Sequence, residues 1–77
     1  MINIAKIKLI KTLRIEHVET GANARREREE RRISLRRMAK YLGFSPAYIH
    51  DLELGKRNWN MNKIRAYEKV LKDIGMP

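Results

Sequence analysis

Residues 4–18, IAKIKLIKTLRIEHV, alternate between apolar and polar side chains. The odd positions Ala5, Ile7, Leu9, Leu13 and Ile15 are apolar, with Lys11 the exception. The even positions include Lys6, Lys8, Thr12, Arg14 and Glu16. Helical spacing scatters the same residues around the wheel, so the period of two predicts a strand, and its β-branched content agrees. A lone strand leaves a row of unpaired backbone groups, and the rest of the pattern predicts helices. The expected partner is the same segment of a second copy, paired through the face of Ile7, Leu9, Leu13 and Ile15 in a two-fold dimer. A basic arm, or a strand laid over the helices of its own chain, also fits.

The period changes after Thr20-Gly21. Thr20 is a suitable N-cap for a first helix over about 21–32, whose apolar face is thin (Ala22, Ala24). Ile15 and Val18 are expected to cover it, and Glu27–Arg31 is an i,i+4 pair for an exposed surface. Ser34 caps a second helix, Leu35 to Leu42, with Leu35, Met38, Ala39 and Leu42 facing inward. Gly43 follows where a helix end needs positive φ, and Phe44 plugs the turn. Ser45 caps a third helix, 45–54, with Pro46 at its first position and Ile49 and Leu52 inward. Its outward residues are Pro46, Ala47, His50 and Asp51. A polar loop, 56–60, leads to a last helix capped by Asn60, with Met61, Ile64, Tyr67, Leu71 and Ile74 on one side. The expected class is mainly α: four helices over 20–77, preceded by a strand or extended arm over 1–19.

Composition narrows the function. Eighteen Lys and Arg against nine Asp and Glu give a net charge of +9 in 77 residues, a single small domain. The excess is greatest over 21–44, with eight bases against three acids. A basic cluster on a small domain fits a phosphate backbone, although a solvated helix face or an RNA-binding protein shares this composition. Zero cysteines exclude disulfides, thiolate catalysis and Cys-based zinc sites. His17 and His50 lack metal-ligand spacing, so no metal or cofactor is expected. No nucleophile–base pair or phosphate-binding Gly-rich loop suggests an enzyme. No apolar run approaches a membrane span and no signal-peptide layout is present, so neither membrane nor small-molecule partners are expected.

The run SLRRMAKYLGFSPAYIHDLELG, residues 34–55, resembles the helix-turn-helix of the phage repressor and Cro family, the lambda-repressor-like or XRE-type domains. Counted from Leu35, that motif takes a small residue fifth, glycine ninth and an aliphatic residue fifteenth. Here these are Ala39, Gly43 and Ile49, with Leu52 eighteenth. Glu53-Leu54-Gly55-Lys56-Arg57 and an arginine at the spacing of Arg28 are frequent in the same family. The resemblance covers about residues 21–75. It departs near Ala24, where a larger aliphatic is usual, and that departure points to core supplied by the N-terminal segment.

The resemblance implies a sequence-specific, double-stranded DNA-binding transcriptional regulator. The expected form is a repressor of phage or mobile-element type, binding an inverted repeat as a homodimer in the cytoplasm of a prokaryotic or phage-infected cell. Helix 45–54 would lie in the major groove. Base reading falls by position to Ser45, Pro46, Ala47, Tyr48 and Asp51. Pro46 and Ala47 suit thymine methyl groups and Asp51 a cytosine amino group. Tyr48 could touch a phosphate or base edge, or pack against the turn. Ser34, Arg36, Lys40, His50, Lys56, Arg57, Asn58 and Asn60 would hold phosphates. Arg28 and Glu53 would form a partly buried ion pair, and Trp59 would wedge the loop against the last helix. Two other readings remain: a ribbon that reads DNA through Lys6, Lys8, Thr12 and Arg14, and a protein-interaction module such as an antitoxin or phage inhibitor.

Overall fold

The computed structural model describes residues 16–76, and these form four helices. They are α1 (His17–Glu30), α2 (Leu35–Leu42), α3 (Pro46–Glu53) and α4 (Met61–Ile74). The expected strand face of Ile7, Leu9, Leu13 and Ile15 lies outside the described residues, as do Lys6, Lys8, Thr12 and Arg14. Where the expected strand overlaps the described chain, the expectation is corrected. Glu16 is extended and caps α1, its carboxylate accepting from the Val18 N–H at 3.1 Å, and His17 and Val18 are helical.

Thr20 is therefore not an N-cap; it lies inside α1, buried. Ala22 and Val18, read as core, are exposed. The buried positions are instead Thr20, Gly21, Ala24 and Arg28, an i, i+4, i+8 stripe plus one neighbour. Small size is what makes this face work. A Cβ at Gly21 would lie 2.4 Å from the Leu52 carbonyl oxygen, so α1 rests almost directly on the end of α3. His17 adds a tie, its Nδ1 accepting the Trp59 N–H at 2.9 Å.

α1 also ends earlier than about residue 32. Arg32 takes a left-handed φ of 58°, and the Ile33 N–H reaches back to the Arg28 carbonyl at 3.1 Å. α2 closes in the same six-residue way at Gly43, with φ 77° and Phe44 N–H to Ala39 O at 3.0 Å. At Gly43 the sequence announces the stop; at Arg32 a long cationic side chain sits where glycine is favoured, so no local signal marks it.

The core is one cluster to which all four helices contribute: Ala24, Ile33, Met38, Ala39, Ile49, Leu52, Trp59, Ile64, Tyr67, Val70 and Leu71. Leu35, Leu42, Met61 and Ile74 pack against its edge. Trp59 is buried, donates its indole N–H to the Leu52 carbonyl at 2.8 Å and meets the Tyr67 ring edge-on. That fixes the loop after α3 against α4.

Candidate nucleic-acid interface

The position of α3 follows from its two faces. Ile49 and Leu52 are buried, while Ser45, Pro46, Ala47 and His50 are exposed. Ser45 starts the helix by accepting the Tyr48 N–H at 3.1 Å; Pro46 occupies the first turn, where a missing N–H leaves no bond unmade. Underneath, Glu53 is almost fully enclosed. Arg28 clamps it with two parallel bonds, Nε to Oε2 at 2.8 Å and Nη2 to Oε1 at 3.0 Å. Arg28 also donates to the Ile33 carbonyl at 2.9 Å. The Tyr67 hydroxyl donates to Glu53 at 2.7 Å and lies 3.2 Å from the Ala24 carbonyl.

These contacts govern ionisation. Burial opposes the Arg28 charge, but the hydrogen bond and attraction of Glu53 outweigh it, with smaller help from Tyr67 and Glu29. The guanidinium is held above its ordinary value. Burial first, then the charge and hydrogen bond of Glu53, push the Tyr67 phenol well above the usual tyrosine range. This network ties α1, α3 and α4 together under the exposed face of α3.

Tyr48 is half-buried at the edge of that face. Its ring lies 4.7 Å from Phe44, and the Arg57 guanidinium stands 5.6 Å from its centroid. Lys63, from the first turn of α4, donates to the Tyr48 hydroxyl at 2.6 Å and to the Asn58 carbonyl at 3.1 Å. Arg57 also approaches Asp51 at 3.7 Å. Asp51 thus carries a local countercharge, which lowers the repulsion an unpaired carboxylate would offer a phosphate.

The remaining predicted phosphate residues are placed as follows. Ser34 accepts the Arg37 N–H at 3.0 Å and Asn60 the Lys63 N–H at 2.8 Å, so both are helix caps. Arg36 and Lys40 are exposed one turn apart on α2. His50, Lys56 and Asn58 are exposed. No acid occupies the first turn of α2, α3 or α4. Helix N-termini carry partial positive charge, and here Arg36, Arg37 and Lys63 add to it rather than offset it.

A family model described as helix-turn-helix matches residues 25–75, most of the chain. The chain belongs to the lambda-repressor-like helix-turn-helix family. It is accordingly a DNA-binding helix-turn-helix regulator, and its partner class is double-stranded DNA. No curated protein and no solved structure gives a significant match. Among the described residues, no helix is long and apolar enough to cross a membrane.

Sequence reasoning passed over Lys63 in this helix-turn-helix domain. A signal for it exists: a lysine in a first turn opposes the helix dipole, and such a breach of a local rule marks a residue retained for another reason. The sequence marks Tyr67 as core alone, because nothing local links it to Glu53, fourteen positions away.

Proposed function

We propose that the protein is a transcriptional repressor of phage or mobile-element type that binds an inverted repeat as a homodimer. The observation that carries this reading is the two-faced α3. Its apolar side is locked to the core by Ile49 and Leu52, its Ser45, Pro46, Ala47 and His50 are exposed, and exposed cations stand on the preceding helix α2 (Arg36, Lys40) and in the 56–60 loop (Lys56, Arg57). Laid in a major groove, such a helix reads bases through its N-terminal side chains while flanking cations fix register on the phosphates. Ser45, Pro46, Ala47, Tyr48 and Asp51 take the base edges. Ser34, Arg36, Lys40, His50, Lys56, Arg57, Asn58 and Asn60 take the backbone. Arg28 and Glu53 hold the scaffold.

Dimerisation is assigned to Ile7, Leu9, Leu13 and Ile15 on the strength of their alternation in the sequence. Two copies would set two α3 helices about 34 Å apart, one turn of DNA. Repression, acting where the cell's DNA lies, needs no more than occupancy of a promoter.

Selection of bound sites from random duplexes tests this. A palindrome with half-sites about one helical turn apart is expected, with affinity that falls steeply as salt rises. A single asymmetric half-site contradicts the dimer. No salt-sensitive binding to any duplex contradicts DNA recognition and favours the protein-interaction reading.

A further inference from the structure

Lys63 sits on a helix that otherwise supplies core, yet its ammonium is spent on the rim of α3. It donates to the Tyr48 hydroxyl at 2.6 Å and to the Asn58 carbonyl at 3.1 Å. An ammonium has hydrogens to give and no lone pair with which to accept. The Tyr48 oxygen is therefore the acceptor in this bond, and its own hydrogen is turned elsewhere. No acceptor among the described residues takes that hydrogen. The ring itself is held in place by Phe44 at 4.7 Å, with Lys63 5.3 Å and Arg57 5.6 Å from its centroid.

We propose that Lys63 is a positioning residue that fixes Tyr48 as a hydrogen-bond donor toward DNA. The inference rests on the DNA reading above and adds a polarity to it. A tyrosine hydroxyl free to turn can greet a donor or an acceptor. One that already accepts from Lys63 and has its hydrogen to give favours acceptors: a phosphate oxygen, or the N7, O6 and O4 atoms of the major-groove edge. The amino group of cytosine, a donor, is disfavoured because it competes with the Lys63 ammonium for the same oxygen. Phosphate and base edge offer the same acceptor chemistry, so the test must separate them.

The experiment is a double-mutant cycle of Tyr48→Phe and Lys63→Met in the full chain, with affinity measured on the duplex that the wild type selects. Both side chains lie at the rim rather than in the core, so stability measured alongside should change little. Tyr48→Phe is expected to weaken binding about tenfold. Lys63→Met should weaken it more in the wild-type background than in the Tyr48→Phe background, where the loss of one charge is all that remains. The two effects should couple by about fivefold or more.

Single-base exchanges and single methylphosphonates along the site then locate the acceptor, as the position whose effect disappears in Tyr48→Phe. A base position identifies groove reading and a phosphate position identifies backbone clamping; either supports the donor assignment. Additive effects, wild-type affinity in Tyr48→Phe, or a Tyr48-dependent preference for a cytosine amino group overturns it. Failure of the wild type to bind any duplex overturns the DNA reading and this inference with it, an outcome distinct from binding with additive effects.

Discussion

Tyr67 and Tyr48 each belong to a cluster with an arginine and a carboxylate, one cluster beneath α3 and one at its rim. Around Tyr67 the groups are enclosed. Arg28 grips Glu53 through two bonds, the hydroxyl donates to the same carboxylate, and the charges sum to neutrality. Around Tyr48 they are only partly covered and reach solvent. Arg57, largely exposed, stands 3.7 Å from a half-buried Asp51, Lys63 adds a second cation, and no acceptor among the described residues takes the hydroxyl's hydrogen. The same residue types yield a closed neutral joint in one place and an open cationic surface in the other. Burial makes the difference: an enclosed charge must be matched, whereas an exposed one is screened by water and can be held in reserve for a partner.

The sharpest way to break this contrast is to remove a carboxylate from each cluster. Glu53→Ala strands Arg28 inside the protein and should cost about 3–5 kcal/mol of stability in urea or thermal unfolding. A loss under about 1 kcal/mol would mean the pair is not the joint described. Gly21→Ala attacks the same joint from the backbone, because the new methyl would meet the Leu52 carbonyl oxygen at 2.4 Å. Overpacking there should cost about 1–3 kcal/mol, measured as a fall in the denaturation midpoint.

The Tyr67 phenol gives the buried cluster a pH signature. Its folded pKa is raised above the ordinary value, so the unfolded chain releases the proton first. Stability is fully present below the ordinary tyrosine pKa of about 10 and falls as pH rises beyond it, by up to about 1.4 kcal/mol per unit. Tyr67→Phe should flatten this alkaline decline in unfolding curves taken across that range; an unchanged slope would assign it to other groups. The smallest effect belongs to the rim. Asp51→Asn should shift stability by less than about 0.5 kcal/mol, while relaxing the base preference at the position that Asp51 is proposed to read, checked by single-base exchanges along the selected duplex. A large stability loss would show that the Asp51–Arg57 pair is structural after all.

Some of this was open to reading in the residues and some was not. α2 and α3 were legible because Ser34, Gly43, Ser45 and Pro46 are local signals that act within one turn. The outward face of α3 followed as the complement of Ile49 and Leu52. α1 was misplaced at both ends for physical reasons. The expected strand takes in His17 and Val18 although the alternation breaks at His17, and a glutamate such as Glu16 is a weak signal for a helix cap. Its packing face of Thr20, Gly21, Ala24 and Arg28 is small or polar, and only the backbone of α3 lying against it makes such a face worth burying. Arg32 closes the helix in a conformation that glycine would have advertised. Lys63 escaped because its partner, Tyr48, is fifteen positions away; the pairing exists only once α4 has docked on Trp59.

The open rim, and not the closed joint, is the surface proposed to meet DNA. An amide-resolved NMR titration of the full chain with its selected duplex tests it most directly. Shifts are expected to concentrate at 34–37, 45–51 and 56–63, with the amides of 22–30 on α1 and 65–74 on α4 left nearly unmoved. Shifts concentrated on α1 or the far end of α4, with 45–51 silent, would contradict it.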